Sequence, residues 1–164
     1  FLEIARYSLS TITLQYSEIK LTRLLEQLVY EFQPVLDKKS LSCCLVAGDD
    51  ILLNCDADKM QRVFDNLLRN AVNYSYDGTE ITIEAKHSGD SVTLKLSNCG
   101  GTIPREKLER IFEQFYRLDT GRGSSGNGLG LAIAKQIITL HKGTITVESG
   151  DGLTVFTVTL PAVS

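Results

Sequence analysis

The chain has 164 residues, 43% hydrophobic and 23% charged, with a formal net charge of −3. That length suits one domain with one core. The charge gives no electrostatic case for general binding to nucleic acid or an anionic membrane, and no apolar run approaches the ~20 residues of a membrane span.

The chain opens on Phe1, without an initiator methionine, in a stretch of helical character. Residues 1–10 are therefore expected to be the tail of a helix from a preceding domain, and residues 11–164 a single domain. Thr11 to Leu14 reads as a strand. Leu21, Leu24, Leu25, Leu28, Val29, Phe32, Val35 and Leu36 recur at helical spacing and predict an amphipathic helix. Strands are expected at 41–46 and 51–55. The clearest helix spans 57–74, with Met60, Val63, Phe64, Leu67, Leu68, Ala71 and Val72 as its apolar face. Asp56 suits its N-cap, and Asp58 the positive end of its dipole.

Ile81, Ile83 and Ala85 alternate with polar residues, as do Val92, Leu94 and Leu96, so two half-buried strands flank a Ser88-Gly89-Asp90 hairpin turn. Pro104 opens a short helix with Leu108, Ile111, Phe112 and Phe115 as apolar positions. Residues 119–128, DTGRGSSGNG, cannot build a core and read as a loop. Leu129 to His141 is apolar on most sides, hence a largely buried helix. Strands at Thr144–Glu148 and Thr154–Leu160 close the chain. Together these elements predict an α+β fold: a two-layer sandwich whose mostly antiparallel, mixed sheet is covered on one face by about three helices. Cys43, Cys44, Cys55 and Cys99 match no zinc or CxxC spacing and read as free thiols.

Three segments carry chemistry. Asn66, Asn70 and Asn73 share one stripe at the border of the 57–74 apolar face. Asparagine costs a helix roughly 0.5 kcal/mol relative to alanine. The stripe is either a solvated face or a row of amides aimed at a ligand, and an amide oxygen suits Mg²⁺ that keeps waters and phosphates as other ligands. Asn98-Cys99-Gly100-Gly101-Thr102-Ile103-Pro104 follows a strand. It is either a plain turn or a place where backbone and an amide side chain meet something flat. Gly126-Asn127-Gly128-Leu129-Gly130-Leu131 runs into a buried helix, whose N-terminal N–H groups can cradle phosphate. Alone this pattern is weak, because it lacks a preceding strand and a Walker lysine.

In their order, these segments resemble the ATP-binding catalytic domain of sensor histidine kinases, of the Bergerat (GHKL) fold. FDNLLRNAVNYS (64–75) looks like the N box, NCGGTIP (98–104) the G1 box, IFEQFYR (111–117) the F box and GNGLGLAIAK (126–135) the G2 box. The resemblance covers residues 11–161, and FYRLDTGRGSS with LGLAIAKQI looks most like VanS-type kinases of vancomycin-resistance systems. It implies ATP and Mg²⁺ as ligands and transfer of the γ-phosphoryl group to a histidine on a dimerisation domain. It further implies relay to a response regulator controlling resistance, and a membrane-anchored homodimer with this domain in the cytoplasm.

Residue by residue, the resemblance implies that Asn70 coordinates Mg²⁺, Asn66 sits near the γ-phosphate and incoming imidazole, and Arg117 lies near the phosphates. Tyr74 and Ile103 would flank adenine, Asn98 would meet its exocyclic amine, and Thr154 would lie behind it. Gly100 belongs to the G1 turn and Asn73 to the phosphate side. Gly126, Gly128, Leu129, Gly130 and Leu131 would form the lid hinge and phosphate cradle. Three positions depart from the family: Asn98 stands where aspartate is usual, Asn73 where lysine or arginine is frequent, and Thr102 where glycine is usual. His87 and His141 lack the context of an acceptor histidine. An anti-sigma-type serine kinase and a non-catalytic nucleotide-gated docking module are the other readings.

Overall fold

The computed structural model describes residues 13–48, 51–114, 116 and 130–162. The expected helical tail at 1–10 and the 119–128 loop lie outside them. Four helices are described: α1 (Leu21–Lys38), α2 (Ala57–Tyr74), α3 (Arg105–Leu108) and α4 (Gly130–Leu140). Seven strands accompany them: β1 (Tyr16–Lys20), β2 (Ser42–Ala47), β3 (Leu52–Asp56), β4 (Glu80–Ser88), β5 (Ser91–Cys99), β6 (Thr144–Gly150) and β7 (Leu153–Pro161).

The main sheet has five strands in the order β2-β4-β5-β7-β6. Only β2 and β4 run parallel; the other neighbours are antiparallel. Along β4, β5 and β7 every second side chain is buried, including Ile81, Ile83, Leu94, Leu96, Phe156 and Val158. These stack against Leu21, Leu25, Leu28, Phe32 and Leu36 of α1, the apolar stripe of α2, and Ala132, Ile133, Ala134, Ile137 and Ile138 of α4. The single-turn α3 buries no residue. The chain is thus the two-layer α+β sandwich expected.

Two strands differ from the expectation. Of the predicted strand at 11–14, residues 11 and 12 lie outside the described residues and 13 and 14 are in no strand; β1 at Tyr16–Lys20 pairs antiparallel with β3 from Tyr16↔Asp56 to Lys20↔Leu52. Periodicity is silent there because β1 turns only Ile19 partly inward, so its pairing partner sets its place. β2 joins the main sheet as a fifth strand, while β1 and β3 form a separate two-stranded sheet. The hairpin between β4 and β5 turns at Gly89-Asp90, with Gly89 at φ +58° and no positive φ at Asp90, the pattern of a type II′ turn with glycine in its first central position. All four cysteines are free. Burial pushes the Cys43 thiol up to about 11 and the Cys55 thiol to about 12, so both are inert at neutral pH.

Helix α2 is pinned at its N-terminus. The Asp56 side chain accepts from the Lys59 N–H (3.2 Å), the Lys59 ammonium (3.3 Å) and the Gln15 N–H (2.9 Å). The Asp56 N–H in turn donates to Nε2 of His141 (3.0 Å), whose Nδ1 donates to the Ile137 carbonyl (2.8 Å). That pattern assigns a neutral imidazole, with Tyr16 edge-on at 5.7 Å. Burial holds the His141 pKa below the ordinary 6.5; the Ile137 bond and the Asp56 charge oppose this only partly.

A proton on Nε2 would face the Asp56 N–H and destroy that bond. The unfolded chain takes up this proton near pH ~6.5, whereas the folded chain resists it, so stability falls as pH drops below about 6.5. Urea midpoints measured from about pH 7 to 5.5 are expected to fall, with a slope of at most ~1.4 kcal/mol per pH unit from this group. A His141→Gln variant, less stable at pH 7, is expected to flatten the profile through that window.

Candidate functional site

The C-terminal half of α2 faces the end of β5 and the turn that follows it. Between them lies a cleft of about 200 Å³ lined by Asn70, Tyr74, Asn98, Gly101, Thr102, Ile103, Pro104, Lys107 and Thr154. This is smaller than the ~300–1,000 Å³ of pockets that enclose a whole drug-sized ligand, and suits one flat portion of it. Asn70 and Tyr74 are one helical turn apart and so reach the cleft together. Asn98 on β5 and Thr154 on β7 are directly opposite in the antiparallel ladder. Both are polar, yet only 3% and 4% exposed.

A hydroxyl network supports this wall. The Ile103 N–H donates to Ser149 Oγ (2.9 Å), Ser149 and Thr154 share a hydrogen bond (2.9 Å), and the Gly152 N–H donates to Thr102 Oγ1 (2.9 Å). The turn that carries Ile103 is thereby tied to the β6–β7 hairpin. Thr102, the family departure, fills its position with a useful acceptor. Gly100 does not line the cleft. A Cβ there would run into the Tyr74 carbonyl oxygen, so glycine lets the turn press against the end of α2. The Gly100 N–H donates to the Gly152 carbonyl (2.9 Å), and the Tyr76 N–H to the Cys99 carbonyl (2.9 Å).

Of the other expected residues, Asn66 donates from Nδ2 to the Gly130 carbonyl (3.0 Å), joining α2 to the first residue of α4. Leu131 packs partly buried against the core, and Asn73 is exposed outside the cleft lining. Arg117, Gly126, Gly128 and Leu129 lie outside the described residues. Sequence reasoning quoted Gly101 and Pro104 only as part of the Asn98–Pro104 segment and did not single out Lys107 or Ser149.

Among the described residues that line the cleft, Lys107 is the only charged side chain and none is a carboxylate. Such a lining favours an anionic ligand. Among the described residues no cluster of three His, Cys, Asp or Glu could hold a metal alone. The neutral amide of Asn70 nevertheless fits a divalent cation that takes its other ligands from phosphate oxygens and water. A second groove of about 430 Å³ backs onto Ile103 and Ser149, but mixes Arg105 with Glu109 and Glu148 and gives no such bias.

Residues 55–164 match the family described as histidine kinase-, DNA gyrase B-, and HSP90-like ATPase. The sequence is 46% identical to the sensor protein VanSC of Enterococcus gallinarum, over 98% of this chain and 45% of that protein. It is 48% identical to the sensor protein VanS of Enterococcus faecium, over 99% of this chain and 42% of that one. The chain thus spans less than half the length of these relatives. Among solved structures, the histidine kinase ThkA, in complex with the response regulator protein TrrA, superposes with a TM-score of 0.83 at 26% identity. That alignment covers 99% of this chain and 46% of ThkA.

Gly100→Ala is expected to cost about 1–3 kcal/mol, because the new Cβ must displace the Tyr74 carbonyl or the turn itself. Chemical denaturation measures the loss, and Gly101→Ala, whose Cβ would meet only the Tyr76 hydroxyl at 3.6 Å, serves as the tolerated control.

Proposed function

The chain belongs to the histidine kinase-, DNA gyrase B-, and HSP90-like ATPase family, and within it we propose that it is the ATP-binding catalytic domain of a sensor histidine kinase. Its reaction passes the γ-phosphoryl group of Mg-ATP to a histidine nitrogen on a separate dimerisation domain, releasing ADP. The observation that carries this reading is the cleft itself. Asn70, Tyr74, Asn98 and Thr154 converge on one space with a lysine and, among the described residues, no carboxylate, an arrangement fit for a neutral heterocycle joined to an anionic tail.

In this reading Tyr74 and Ile103 sandwich the base, while the Asn98 amide and Thr154 hydroxyl meet its polar edge. Asn70 holds the phosphate end, with Lys107 and Arg117 adding positive charge. Mg²⁺, when bound, screens the phosphates and withdraws charge from the bond being broken. Asn66 is an amide and cannot serve as a general base; its bond to Gly130 sets the start of α4 against α2. A neutral imidazole is already nucleophilic near pH 7, so the domain's task is chiefly to position the reactants and stabilise charge.

The partners would be the dimerisation domain, a response regulator, and a second copy of a membrane-anchored whole protein. Similarity to the VanS proteins supports a role in regulating vancomycin resistance, and the ThkA–TrrA complex supports a regulator partner.

Incubated with labelled ATP and Mg²⁺, the chain alone is expected to bind nucleotide without labelling itself. Adding the dimerisation domain is expected to give label that is acid-labile and base-stable, as phosphohistidine is and phosphoserine is not. Asn70→Ala is expected to abolish both Mg²⁺-dependent binding and transfer; unchanged titration would remove Asn70 from the metal site.

Asn98 bears on base choice. A carboxylate only accepts hydrogen bonds, so it suits an amine edge and repels a carbonyl edge, whereas an amide offers both. Asn98→Asp is expected to raise the preference for ATP over GTP by about 5- to 150-fold, nearer the lower figure where backbone and water share the readout. Paired competition titrations measure the ratio, and an unchanged value means that Asn98 does not read the base.

A further inference from the structure

Helix α2 ends at Tyr74, the residue that lines the cleft. A helix end leaves its last four carbonyls without partners in the helix and carries partial negative charge. Helix α2 has no basic residue in its last turn; the positive charge arrives from elsewhere. Lys39, just beyond α1, turns its half-buried side chain back onto this end. Its Nζ donates to the carbonyls of Val72 (2.7 Å), Ser75 (2.8 Å) and, more weakly, Asn73 (3.4 Å).

An ammonium has three donors, and the carbonyls that take them bracket Tyr74 on both sides. Two neighbouring carbonyls are held by other means. The Ser75 hydroxyl donates to the Ala71 carbonyl (2.6 Å), and the Tyr74 carbonyl presses on Gly100. Lys39 also starts from a fixed place: its N–H donates to the Leu36 carbonyl (3.1 Å) and its carbonyl accepts from the Gly78 N–H (3.0 Å).

We propose that Lys39 is a positioning residue for the nucleotide site, which fixes the backbone around Tyr74 and so sets the aromatic ring at the edge of the base cleft. It lies outside the cleft and touches neither base nor phosphate. This role rests on the cleft being the nucleotide site. It separates from a purely structural role in one respect. If Lys39 acts through Tyr74, its loss weakens nucleotide binding only while Tyr74 is present.

The experiment is a double-mutant cycle on this chain, titrated with Mg²⁺ and the non-hydrolysable ATP analogue AMP-PNP, with melting temperatures recorded alongside. Lys39→Met is expected to weaken binding about 5- to 20-fold, the effect of losing charge-assisted hydrogen bonds that hold one ligand contact. Tyr74→Ala is expected to weaken it comparably, and the double variant to bind as Tyr74→Ala does, within a factor of about 2. Lys39→Arg, which keeps charge and several donors, is expected to recover most of the affinity.

Fold-losses that multiply in the double variant, or wild-type affinity in Lys39→Met, would overturn the proposal. Should Lys39→Met fail to fold, Lys39→Gln, which keeps a donor without the charge, takes its place in the cycle with the same criteria. A wild-type chain that does not bind the analogue refutes the reading of the cleft first, and this role with it.

Discussion

Seven side chains of helix α2, from Met60 to Val72, are buried, most of them against the sheet and helix α4, and their burial decides where every other residue of the helix points. Each of the six larger than alanine contributes about 1.5–3 kcal/mol on leaving water. A rotation that turned Asn70 or Tyr74 away from the cleft would bring several of the seven out together. The site thus inherits its orientation from the core. Asn66, Asn70 and Tyr74 recur every four residues along the border of the buried stripe, and one face of one helix serves both packing and ligand.

Orientation about the helix axis is not enough; the helix must also be held along its length. Its N-terminus is tied to the end of α4 by the Asp56–His141 bond, and its middle to the start of α4 by the Asn66–Gly130 bond. At its C-terminus the carbonyls are taken by Lys39 and Ser75, with Gly100 pressed against the last of them. These contacts place each end of α2 by hydrogen bonds from a different element. Phosphoryl transfer gains most from pre-set geometry, and this wall of the cleft is built for that.

The polarity of the site follows from what lines it. The chain is net negative, yet the described residues that line the cleft bring amides, hydroxyls and one lysine and no carboxylate. A neutral lining lets a polyanion approach without repulsion, while phosphate oxygens and water supply the ligands that the protein withholds from a cation. Asn98 and Thr102 are positions at which the sequence departs from the pattern expected from the resemblance. Both fit this wall: Asn98 as a buried amide opposite Thr154, Thr102 as an acceptor for the Gly152 N–H.

Much of this was legible in the sequence, because much of it is local. The bounds of α2, its Asp56 cap, the β4–β5 hairpin and the succession of boxes follow from periodicity, capping chemistry and turn residues, each acting over a few positions. Asn70, Tyr74, Asn98, Ile103 and Thr154 were nameable through the family resemblance that the boxes carry, and now share one cleft. Tertiary structure decided the rest. It placed a strand at Tyr16–Lys20, and set β2 parallel to β4 at the sheet edge. It also brought Ser149 under Ile103, His141 onto Asp56 and Lys39 onto the end of α2. These last pairs join residues 46, 85 and 33 positions apart. A hydrogen bond across such a distance leaves no period in the sequence, since its donor and acceptor meet only after the sheet and helices have packed.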